Sequence, residues 1–402
     1  MTFMKKMPIR CCTVEFELSD EEKDIRSAVK EFAEKEIKPK GRDFDELGEF
    51  PREILKKAAK LGYIGVWIPE EYGGLGLSAI ENVIVAEELC RADSGIGYCI
   101  QLTAIGCPMV VNDGTEEQKE KYLPGIPKGE TISSLAVTEP DAGSDVAAIK
   151  TTAVRNGDSY VLNGSKMYAT NSSIADWTLV LAKTNPETVP PYRGISAFIV
   201  ETDAQGYEAT PIEKMGRHCQ DSSDLSLSDV KVPKENLVGE LNRGFYQLMG
   251  TFTETRTNTA AVHVGIAQGA FDRALEYVRE REAFGQKICQ FQAIQHRLVN
   301  MGIKIETARY FVYRAARQID EGLSPTKYSS IAKLVAAETA VQVCLEAMQI
   351  FGGHGYAKEY DVERFFRDAC AGPMVEGTTE IQKNIIARVL LGELPEYRKK
   401  KV

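Results

Sequence analysis

The stretch Pro373-Met374-Val375-Glu376-Gly377-Thr378-Thr379-Glu380-Ile381-Gln382 carries the strongest signal in this 402-residue chain. Its central carboxylate, Glu376, lies between an apolar pair and a glycine. Apolar surroundings disfavour the charged form of a carboxyl group, so its pKa rises and it can serve as a base near neutral pH. The glycine lets a ligand approach the backbone closely. From this stretch alone, an ordinary helix N-cap with an acidic first turn is an equally open interpretation.

Helical periodicity surrounds this stretch. A helix is predicted to begin at Thr378 or Thr379, and three more long periodic segments precede it. The four segments cover residues 245–283, 291–321, 325–351 and 376–392, with short connections that contain Gly or Pro. Long helices with short connections are typical of an antiparallel bundle. We therefore predict a four-helix bundle domain over residues 244–402.

Residues 131–243 have the composition of a β-domain. The segments 131–138, 177–182 and 195–200 are rich in apolar and β-branched side chains, and the region closes near Pro233. Within the segment 160–168, the dipeptide Asn163-Gly164 is placed for a tight hairpin turn. We therefore expect two short strands, one on each side of that dipeptide.

The chain before residue 131 is typical of a helical domain. Ser19 and Glu22 match a capping box, and apolar residues then recur at helical spacing as far as Pro39. Further helices are predicted over 51–61, 81–92 and 116–123. We predict an N-terminal helical domain over residues 19–130. Residues 1–18 are predicted to be a tail, which we interpret as a loose start rather than a targeting segment.

Composition excludes several classes of function. The net charge of -9 and the pI near 5.3 argue against a nucleic-acid-binding protein, which needs a basic face. No apolar run approaches the ~20 residues of a membrane span. The nine cysteines are scattered without a C-x-x-C pair, which favours reduced thiols. The four histidines form no metal-binding pattern, so we predict no metal site.

A dinucleotide-binding pattern also occurs in the chain. Gly74-Leu75-Gly76-Leu77-Ser78-Ala79 fits G-x-G-x-x-A and precedes a predicted helix, with Asp93 roughly 20 residues after the start of the pattern. However, helices precede it and no alternation of strands and helices follows. We therefore favour a glycine-shaped loop over a nicotinamide site.

Four further motifs accompany the first stretch. They are Thr138-Glu139-Pro140-Asp141-Ala142-Gly143-Ser144-Asp145, Arg281-Glu282-Ala283-Phe284-Gly285, Gln349-Ile350-Phe351-Gly352-Gly353-His354-Gly355-Tyr356 and Arg364-Phe365-Phe366-Arg367-Asp368. The first is a turn whose N–H groups could hold a flavin or a phosphate, and an arginine in the second could grip a pyrophosphate. Each alone also fits a structural turn, a surface arginine or a helix end.

Together, in this order, the five motifs resemble the acyl-CoA dehydrogenase family of flavoproteins, over residues 19 to about 395. The resemblance implies a mainly α protein with a central β-domain: an N-terminal helical domain, a middle β-barrel-like domain and a C-terminal four-helix bundle. It also implies a homotetramer that binds FAD between its domains and acts on an acyl-CoA substrate. An electron-transfer flavoprotein would take the electrons, and a cytoplasmic location is favoured over the mitochondrial matrix.

The resemblance assigns roles to individual residues. Glu376 would take the α-proton of the thioester while the β-hydrogen passes as hydride to flavin N5, and the Glu376 N–H and a ribityl hydroxyl would bind the thioester oxygen. The residues expected to bind FAD are Leu135, Ala136, Val137, Thr138, Ser144, Tyr168, Ala169, Thr170, Arg281, Phe284, Gln292, Gln349, Ile350, Phe351, Gly352, Gly353, Thr378, Thr379 and Glu380. Those from Arg281 to Gly353 would reach the FAD of a neighbouring subunit. The residues expected to face the substrate are Ser144, Thr253, Glu254, Thr255, Arg256 and Gly377.

Several positions depart from the family pattern. Tyr168 stands where tryptophan is usual, and Val375 where tyrosine is common, which would leave room for a branched, cyclic or aryl acyl group. Some relatives carry the base at the position of Thr255, with Glu254 one residue before it, and we keep the base at Glu376. An arginine used by glutaryl-CoA relatives would fall near Gly97, and its absence argues against a glutaryl carboxylate bound in that manner. The segment 215–222 is unusually polar.

Three alternatives stay open at this stage. Arg217 or His218 could pair with a substrate carboxylate, although we favour a solvated loop for both. A flavin oxidase that uses oxygen could share the same scaffold. A non-catalytic binding relative is the third alternative, and the presence of Glu376 and the flavin motifs argues against it.

Overall fold

The computed structural model describes residues 17–392 and is mainly helical around one central sheet. Seven helices precede the sheet, and the long helices follow it. The helices are α1 (Asp20–Phe32), α2 (Gly41–Leu47), α3 (Arg52–Lys60), α4 (Ala79–Ala92), α5 (Ser94–Leu102), α6 (Cys107–Asp113), α7 (Glu116–Tyr122), α8 (Gly244–Glu280), α9 (Gln292–Asp320), α10 (Thr326–Phe351), α11 (Val362–Ala369) and α12 (Thr379–Leu391). The prediction of a helical start, a β middle and a helical bundle is confirmed.

The predicted helix starts depend on local capping. The Ser19 hydroxyl accepts a hydrogen bond from the Glu22 N–H, and the Glu22 carboxylate accepts one from the Ser19 N–H. Thr115 caps α7 in the same manner. The Thr378 hydroxyl accepts from the Ile381 N–H at the start of α12. Each cap satisfies backbone donors that have no partner within the helix.

The middle of the chain forms an eight-stranded sheet with the order β6-β7-β3-β1-β4-β5-β8, and β2 pairs with both β3 and β4. All pairings are antiparallel except β1 with β4 and β2 with β4. The strands are β1 (Ser133–Ala136), β2 (Thr152–Asn156), β3 (Ser159–Thr170), β4 (Trp177–Lys183), β5 (Ile195–Glu201), β6 (Tyr207–Pro211), β7 (Ser222–Pro233) and β8 (Leu237–Val238). A two-stranded hairpin, β9 (Glu282–Ala283) with β10 (Gln286–Lys287), follows α8.

The hairpin turn predicted at Asn163-Gly164 is wrong. These residues lie inside the continuous strand β3, where the register with β7 shifts between Leu162 and Gly164. The Asn163 side chain bonds Asp229 of β7, and Gly164 packs so closely that a Cβ would come 2.4 Å from the Thr151 hydroxyl. The dipeptide therefore marks a bulge and a close backbone approach rather than a turn. The chain reverses just before β3, next to Gly157, which has a φ of 62°.

The G-x-G-x-x-A pattern forms a loop, as predicted. Gly73 and Gly76 have φ values of 86° and 58°, which suit glycine, and the capping box of Ser78 and Glu81 begins α4 directly afterwards. A Cβ at Gly74 would come 1.9 Å from the Ile68 carbonyl oxygen. The three glycines allow the chain to fold tightly back onto the segment before them.

Apolar packing ties the three parts together. One buried cluster joins the N-terminal helices to one face of the sheet, and a second joins α4 and α5 to the long helices α8, α9 and α10. The other face of the sheet has a third cluster. Because α4 contributes to two of these clusters, the N-terminal helices and the bundle share one core.

Two helical stretches of the described chain are long and apolar enough to cross a membrane, contrary to the expectation from hydropathy. They are Ser94–Asp113 and Thr326–Tyr356. The first is 72% buried inside the protein and belongs mainly to the first apolar cluster, and the second is 50% buried and belongs to the second cluster. Core helices of a globular protein have this same composition, so the observation is weak evidence for a membrane span.

Candidate active site

Glu376 lies in the turn between α11 and α12, in an unusual backbone conformation. Its φ is 54°, and Gly377 follows with a φ of 90°. A left-handed conformation costs a non-glycine residue about 1–2 kcal/mol, and such residues persist only where the surroundings hold them. Strain of this kind is common at functional sites, so the contacts that hold Glu376 are the first feature of the site.

Three side chains hold this turn by its carbonyl oxygens. Arg256 Nε donates to the Glu376 oxygen at 3.2 Å, and Lys333 Nζ donates to the Gly377 oxygen at 2.8 Å. Gln382 Nε2 lies 3.0 Å from both oxygens. These donors come from α8, α10 and α12, so the bundle fixes the direction of the Glu376 side chain.

Gly377 serves a packing role. A Cβ at this position would come 2.8 Å from Gln382 Nε2 and 3.4 Å from Ile381 Cγ2. Together with the φ of 90°, this requires glycine irrespective of any ligand. From the sequence, we predicted that the glycine lets a ligand approach the backbone. The structure shows that the fold itself also requires glycine at this position.

The Glu376 side chain is half-buried, and its carboxylate touches one hydroxyl. Thr255 Oγ1 donates to its Oε2 at 3.2 Å. Burial raises the pKa of Glu376, and the charge of Arg256, the Thr255 hydroxyl and the charge of Lys333 oppose that rise. The two cations and the hydroxyl therefore favour the ionised form of a carboxyl group whose desolvation disfavours it. The predicted rise in pKa is present, although cationic as well as apolar groups surround the carboxylate.

Lys333 is fully buried within α10, and sequence analysis did not identify it. Burial lowers its pKa to about 8, against the influence of Glu376. The sequence did contain a signal for this buried residue, because Lys333 is the single lysine within the otherwise apolar helical run from Ile331 to Ala337. Lysines are almost never fully buried without a partner, so such a residue marks a specific polar contact.

Replacing Lys333 with Met is expected to move the acidic limb of the pH–rate profile to higher pH. A base works only when it is deprotonated, and the Lys333 charge helps to keep Glu376 deprotonated. Without that charge the pKa of Glu376 rises further, so the rate at low pH falls more than the rate near pH 8. The measurement is the rate of flavin reduction by a thioester across the pH range.

The matched control for this prediction is Lys234→Met. Lys234 is half-exposed in the β-domain, where it pairs with Asp158. Its removal should leave the acidic limb unchanged. A Lys333→Met profile that falls equally at every pH would show that the lysine acts on structure alone.

The Glu376 backbone N–H is available as a donor. No hydrogen bond between residues 17 and 392 uses it. The left-handed conformation of the residue determines the direction of this N–H and of the carboxylate together. The pair can act on adjacent atoms of one substrate, with the N–H on an oxygen and the carboxylate on a neighbouring proton.

The predicted substrate-facing residues of α8 separate into two groups. Thr255 and Arg256 contact Glu376, through its carboxylate and its carbonyl oxygen respectively. In the second group, the Thr253 hydroxyl donates a hydrogen bond to the Met249 carbonyl oxygen of its own helix, and the Glu254 side chain is exposed. The alternative position for a base is therefore occupied by a hydroxyl that donates to Glu376.

The structure brings together the two β segments predicted to line a flavin. Leu135 pairs with Thr170 across β1 and β3, and the Met167 N–H donates to the Thr138 carbonyl at 2.8 Å. Tyr168 has a φ of 55° and is 57% exposed, which presents its ring at the surface. The remaining members of this set, Ala136, Val137 and Ala169, are buried beside them.

A buried ion pair supports these strands. Lys166 Nζ lies 2.8 Å from Glu139 Oε1 and 3.1 Å from the Val137 carbonyl, and Lys166 is fully buried. Glu139 also accepts from the N–H groups of Lys150 and Thr151. Lys166 and Glu139 therefore position the turn that carries Ser144, which is itself exposed.

The residues beside Glu376 suit a polar ligand as well. Thr378 caps α12 and Glu380 lies in its first turn, where backbone N–H groups favour negative charge. The hydroxyl of Thr379 is buried and has no hydrogen-bond partner in the described chain. An unpaired buried hydroxyl is costly, so this atom fits a site for a bound group.

The remaining predicted cofactor residues lie elsewhere on the surface of the chain. Arg281 follows α8, and Phe284 at the tip of the β9–β10 hairpin is 95% exposed with a φ of 53°. Gln292 begins α9, where Phe291 meets Phe284 edge to face. Gln349 to Phe351 form the end of α10, and Gly352 and Gly353 follow it. The Phe351 ring stacks on the Tyr277 ring, with 4.0 Å between the ring centroids. No hydrogen bond, ion pair or ring contact of the described chain joins this group to Glu376.

The expectation that Arg217 lies in a solvated loop is wrong. Arg217 is 4% exposed, and its guanidinium lies over the Tyr98 ring with Cζ 4.1 Å from the ring centroid. His218 is partly exposed beside Asp45 and fits the expectation better. Sequence spacing could not reveal the difference, because the partners of Arg217 come from α5, α8 and α11.

Gly97 has no room for a side chain. A Cβ at this position would come 2.6 Å from the Leu89 carbonyl atoms of the preceding helix. A larger side chain at this position could not be accommodated without moving α4 away from α5.

Comparison with known proteins identifies the family. Residues 19–130, 134–230 and 242–391 match the models of the acyl-CoA dehydrogenase N-terminal, middle and C-terminal domains. The chain belongs to the acyl-CoA dehydrogenase family. Members of this family are FAD flavoproteins.

Relatives resemble the chain over nearly its whole length. The short-chain-specific acyl-CoA dehydrogenase of Clostridium acetobutylicum is 40% identical over 93% of this chain and 99% of its own. The CarC subunit of the caffeyl-CoA reductase-Etf complex of Acetobacterium woodii is 42% identical over 93% and 99%. The butyryl-CoA dehydrogenase structure from Megasphaera elsdenii superposes with a TM-score of 0.90 at 37% identity, over 94% of this chain and 100% of that one.

Proposed function

We propose that this acyl-CoA dehydrogenase removes hydrogen from the α and β carbons of an acyl-CoA thioester to give the 2-enoyl-CoA, with Glu376 as the base. The observation that carries the proposal is the half-buried Glu376 carboxylate, which accepts a hydrogen bond from Thr255 and lies beside its own unpaired backbone N–H. The N–H would bind the thioester oxygen and acidify the α-carbon, and the carboxylate would take the α-proton. A carboxylate that removes this proton in one direction returns it in the other, so the role also applies to enoyl reduction.

The chain's own contacts support each part of this step. The bonds from Arg256, Lys333 and Gln382 prevent the strained turn from relaxing, so the carboxylate and the N–H keep their relative positions. The charges of Arg256 and Lys333 limit the rise in the pKa of Glu376, which favours the deprotonated form that a base needs.

FAD is the proposed cofactor, and when bound it supplies the acceptor for the β-hydride. The paired segments Leu135–Thr138 and Tyr168–Thr170 would hold it, with Ser144 and the start of α12 from Thr378 to Glu380. The exposed Tyr168 ring and the unpaired Thr379 hydroxyl fit a bound aromatic and polar group. Thr253, Glu254 and Gly377 are proposed to line the thioester side.

We also propose a homotetramer in the cytoplasm that passes electrons to an electron-transfer flavoprotein. Phe284, Tyr356, Leu390 and Leu391 are 95%, 87%, 65% and 66% exposed, which suits contacts between copies of the chain. In such an assembly Arg281, Phe284, Gln292 and Gln349 to Gly353 would reach the FAD of a neighbouring subunit. The relative from Acetobacterium woodii is named as part of a complex with an electron-transfer flavoprotein, which supports that partner.

An anaerobic titration of the purified, FAD-saturated protein with acyl-CoA thioesters tests the proposal. Loss of the oxidised flavin absorbance with one class of thioester is expected, together with formation of the 2-enoyl product. A flavin spectrum that no thioester changes, over a panel of straight, branched, aryl and dicarboxylic acyl groups, would overturn it. Rapid reoxidation by air alone would replace the electron-transfer flavoprotein with oxygen as the acceptor.

A further inference from the structure

Arg217 is a buried cation without a carboxylate partner. It is 4% exposed, and no ion pair joins its guanidinium to a carboxylate within residues 17–392. Arginine remains charged in proteins, and a buried charge is costly unless it is paired. Its backbone is also left-handed, with a φ of 53°. The fold thus keeps a cation in the interior without neutralising it.

The groups that surround the guanidinium are neutral. Nε donates to the Asp368 carbonyl oxygen at 3.1 Å, Nη2 lies 3.4 Å from His263 Nε2, and the Tyr98 ring lies below. His263 Nδ1 lies 2.7 Å from the Thr259 carbonyl, so Nδ1 carries the proton and Nε2 can accept. Burial and the charge of Arg217 lower the pKa of His263 to about 3, which keeps the ring neutral.

Asp368 is the nearest acid, and its carboxylate is directed elsewhere. Its oxygens accept hydrogen bonds from the Ser94 hydroxyl and from the Arg217 backbone N–H. Burial raises the pKa of Asp368, against the charge of Arg217. The second buried acid of the region, Asp93, is occupied by Arg364. Neither acid therefore forms an ion pair with the guanidinium.

Arg217 contacts the same helix, α8, that carries the Thr255 hydroxyl of the candidate active site. Its partner His263 is on α8, two helical turns after Thr255, which contacts Glu376; at 1.5 Å per residue these positions are roughly 12 Å apart. Tyr98 packs against Arg217, and its pKa, raised mainly by burial, is raised further by the charge of Glu376. Thr259 occupies the intervening turn of α8.

We propose that Arg217 is a specificity-determining residue that binds a terminal carboxylate on the acyl chain, so that the preferred substrate is the CoA monothioester of a dicarboxylic acid. This inference rests on the proposed function, since it places the thioester at Glu376 and the far end of the same acyl group at Arg217. The substrate carboxylate provides the negative charge that the protein interior does not, and an uncharged end would leave the guanidinium unpaired.

The test compares two thioesters of equal size on the wild-type protein. One carries a terminal carboxylate and the other the corresponding carboxamide, at several chain lengths. At the best length, kcat/KM for flavin reduction is expected to be about two to three orders of magnitude higher for the carboxylate, because the amide leaves a buried charge unpaired. Calorimetric titration should show the same difference in Kd. An amide that is used and bound equally well would overturn the proposal.

An Arg217→Gln variant tests the residue directly. It should lose most of the preference for the carboxylate, because kcat/KM falls for the carboxylate substrate and rises for an unsubstituted acyl-CoA, whose uncharged end no longer faces an unpaired guanidinium. His218→Gln is the matched control on the same segment, since His218 faces Asp45 and partly solvent, and it should keep the preference. If Arg217→Gln lowers kcat/KM for both substrates by the same factor, the arginine has only a structural role.

These outcomes separate the inference from the function on which it rests. If unsubstituted acyl-CoA reduces the flavin and the protein shows no preference for a carboxylate, the proposed role of Arg217 is refuted and the proposed dehydrogenase activity is supported. Failure of every thioester to reduce the flavin would remove the dehydrogenase itself. Should Arg217→Gln fail to fold, the comparison of carboxylate with carboxamide on the wild-type protein still decides the proposal.

Discussion

Replacing Glu376 with Gln is expected to reduce the rate of flavin reduction by an acyl-CoA about 10²–10⁴-fold or more, since a positioned general base contributes that much. The amide has the same shape as the carboxyl group and cannot take a proton. The bonds from Arg256, Lys333 and Gln382 reach backbone oxygens, so they survive the substitution and hold the turn unchanged. The measurement is the stopped-flow rate of loss of oxidised flavin absorbance under anaerobic conditions.

Two further variants make this result specific. Glu359→Gln changes an exposed carboxylate of the segment between α10 and α11 and should reduce flavin at the wild-type rate. Glu254→Gln tests the alternative base on α8. If Glu376→Gln keeps the wild-type rate while Glu254→Gln loses it, the base is on α8 and the assignment to Glu376 is refuted.

Long-range periodicity explains why the bundle could be predicted. The helices α8, α9 and α10 are 37, 29 and 26 residues long, and over such lengths the apolar pattern is unambiguous. The short helices α2, α5, α6 and α11 were not predicted. In α5, seven consecutive residues from Ser94 to Ile100 are buried, so the helix has no polar face from which a period could be recognised.

The local part of the site could also be predicted from the sequence. Glu376, the following glycine and the helix start at Thr378 are adjacent in the chain, and the structure contains that order. The contacts that set the properties of Glu376 are distant in the chain. Thr255 precedes it by 121 residues and Lys333 reaches the Gly377 carbonyl over 44. No spacing rule connects such positions, so their roles needed the fold or the family resemblance.

Residues whose environment is unusual for their type were the least predictable feature of the structure. Arg217 lies in a polar segment and was expected to be solvated, and Asn163-Gly164 matched a turn and proved to be a bulge. In both cases the residue type was judged by its usual environment. The actual environment comes from segments that pack against it, from α5 and α8 for Arg217 and from Thr151 for Gly164.

The second large effect concerns stability, and it is expected from Arg364→Met. Arg364 Nη2 lies 2.8 Å from Asp93 Oδ2, and the two residues are 3% and 1% exposed at their side chains. Asp93 also caps α5 through the N–H groups of Gly95 and Ile96. Removing the arginine leaves a buried carboxylate unpaired between the N-terminal helices and α11, which costs about 3–5 kcal/mol. Urea unfolding followed by circular dichroism, at fixed protein and FAD concentration, measures the loss.

Two comparisons decide whether the pair itself is responsible. Arg42→Met removes an exposed arginine that pairs with Glu46 one helical turn away, and it should hardly change the unfolding midpoint. The double variant Asp93→Asn with Arg364→Met should lose less stability than the sum of the two single variants, because no uncompensated charge is left in the interior. If the losses are instead additive, Arg364 stabilises the fold through its packing and its bond to Asp361, and the buried charge of Asp93 is not the reason for its presence.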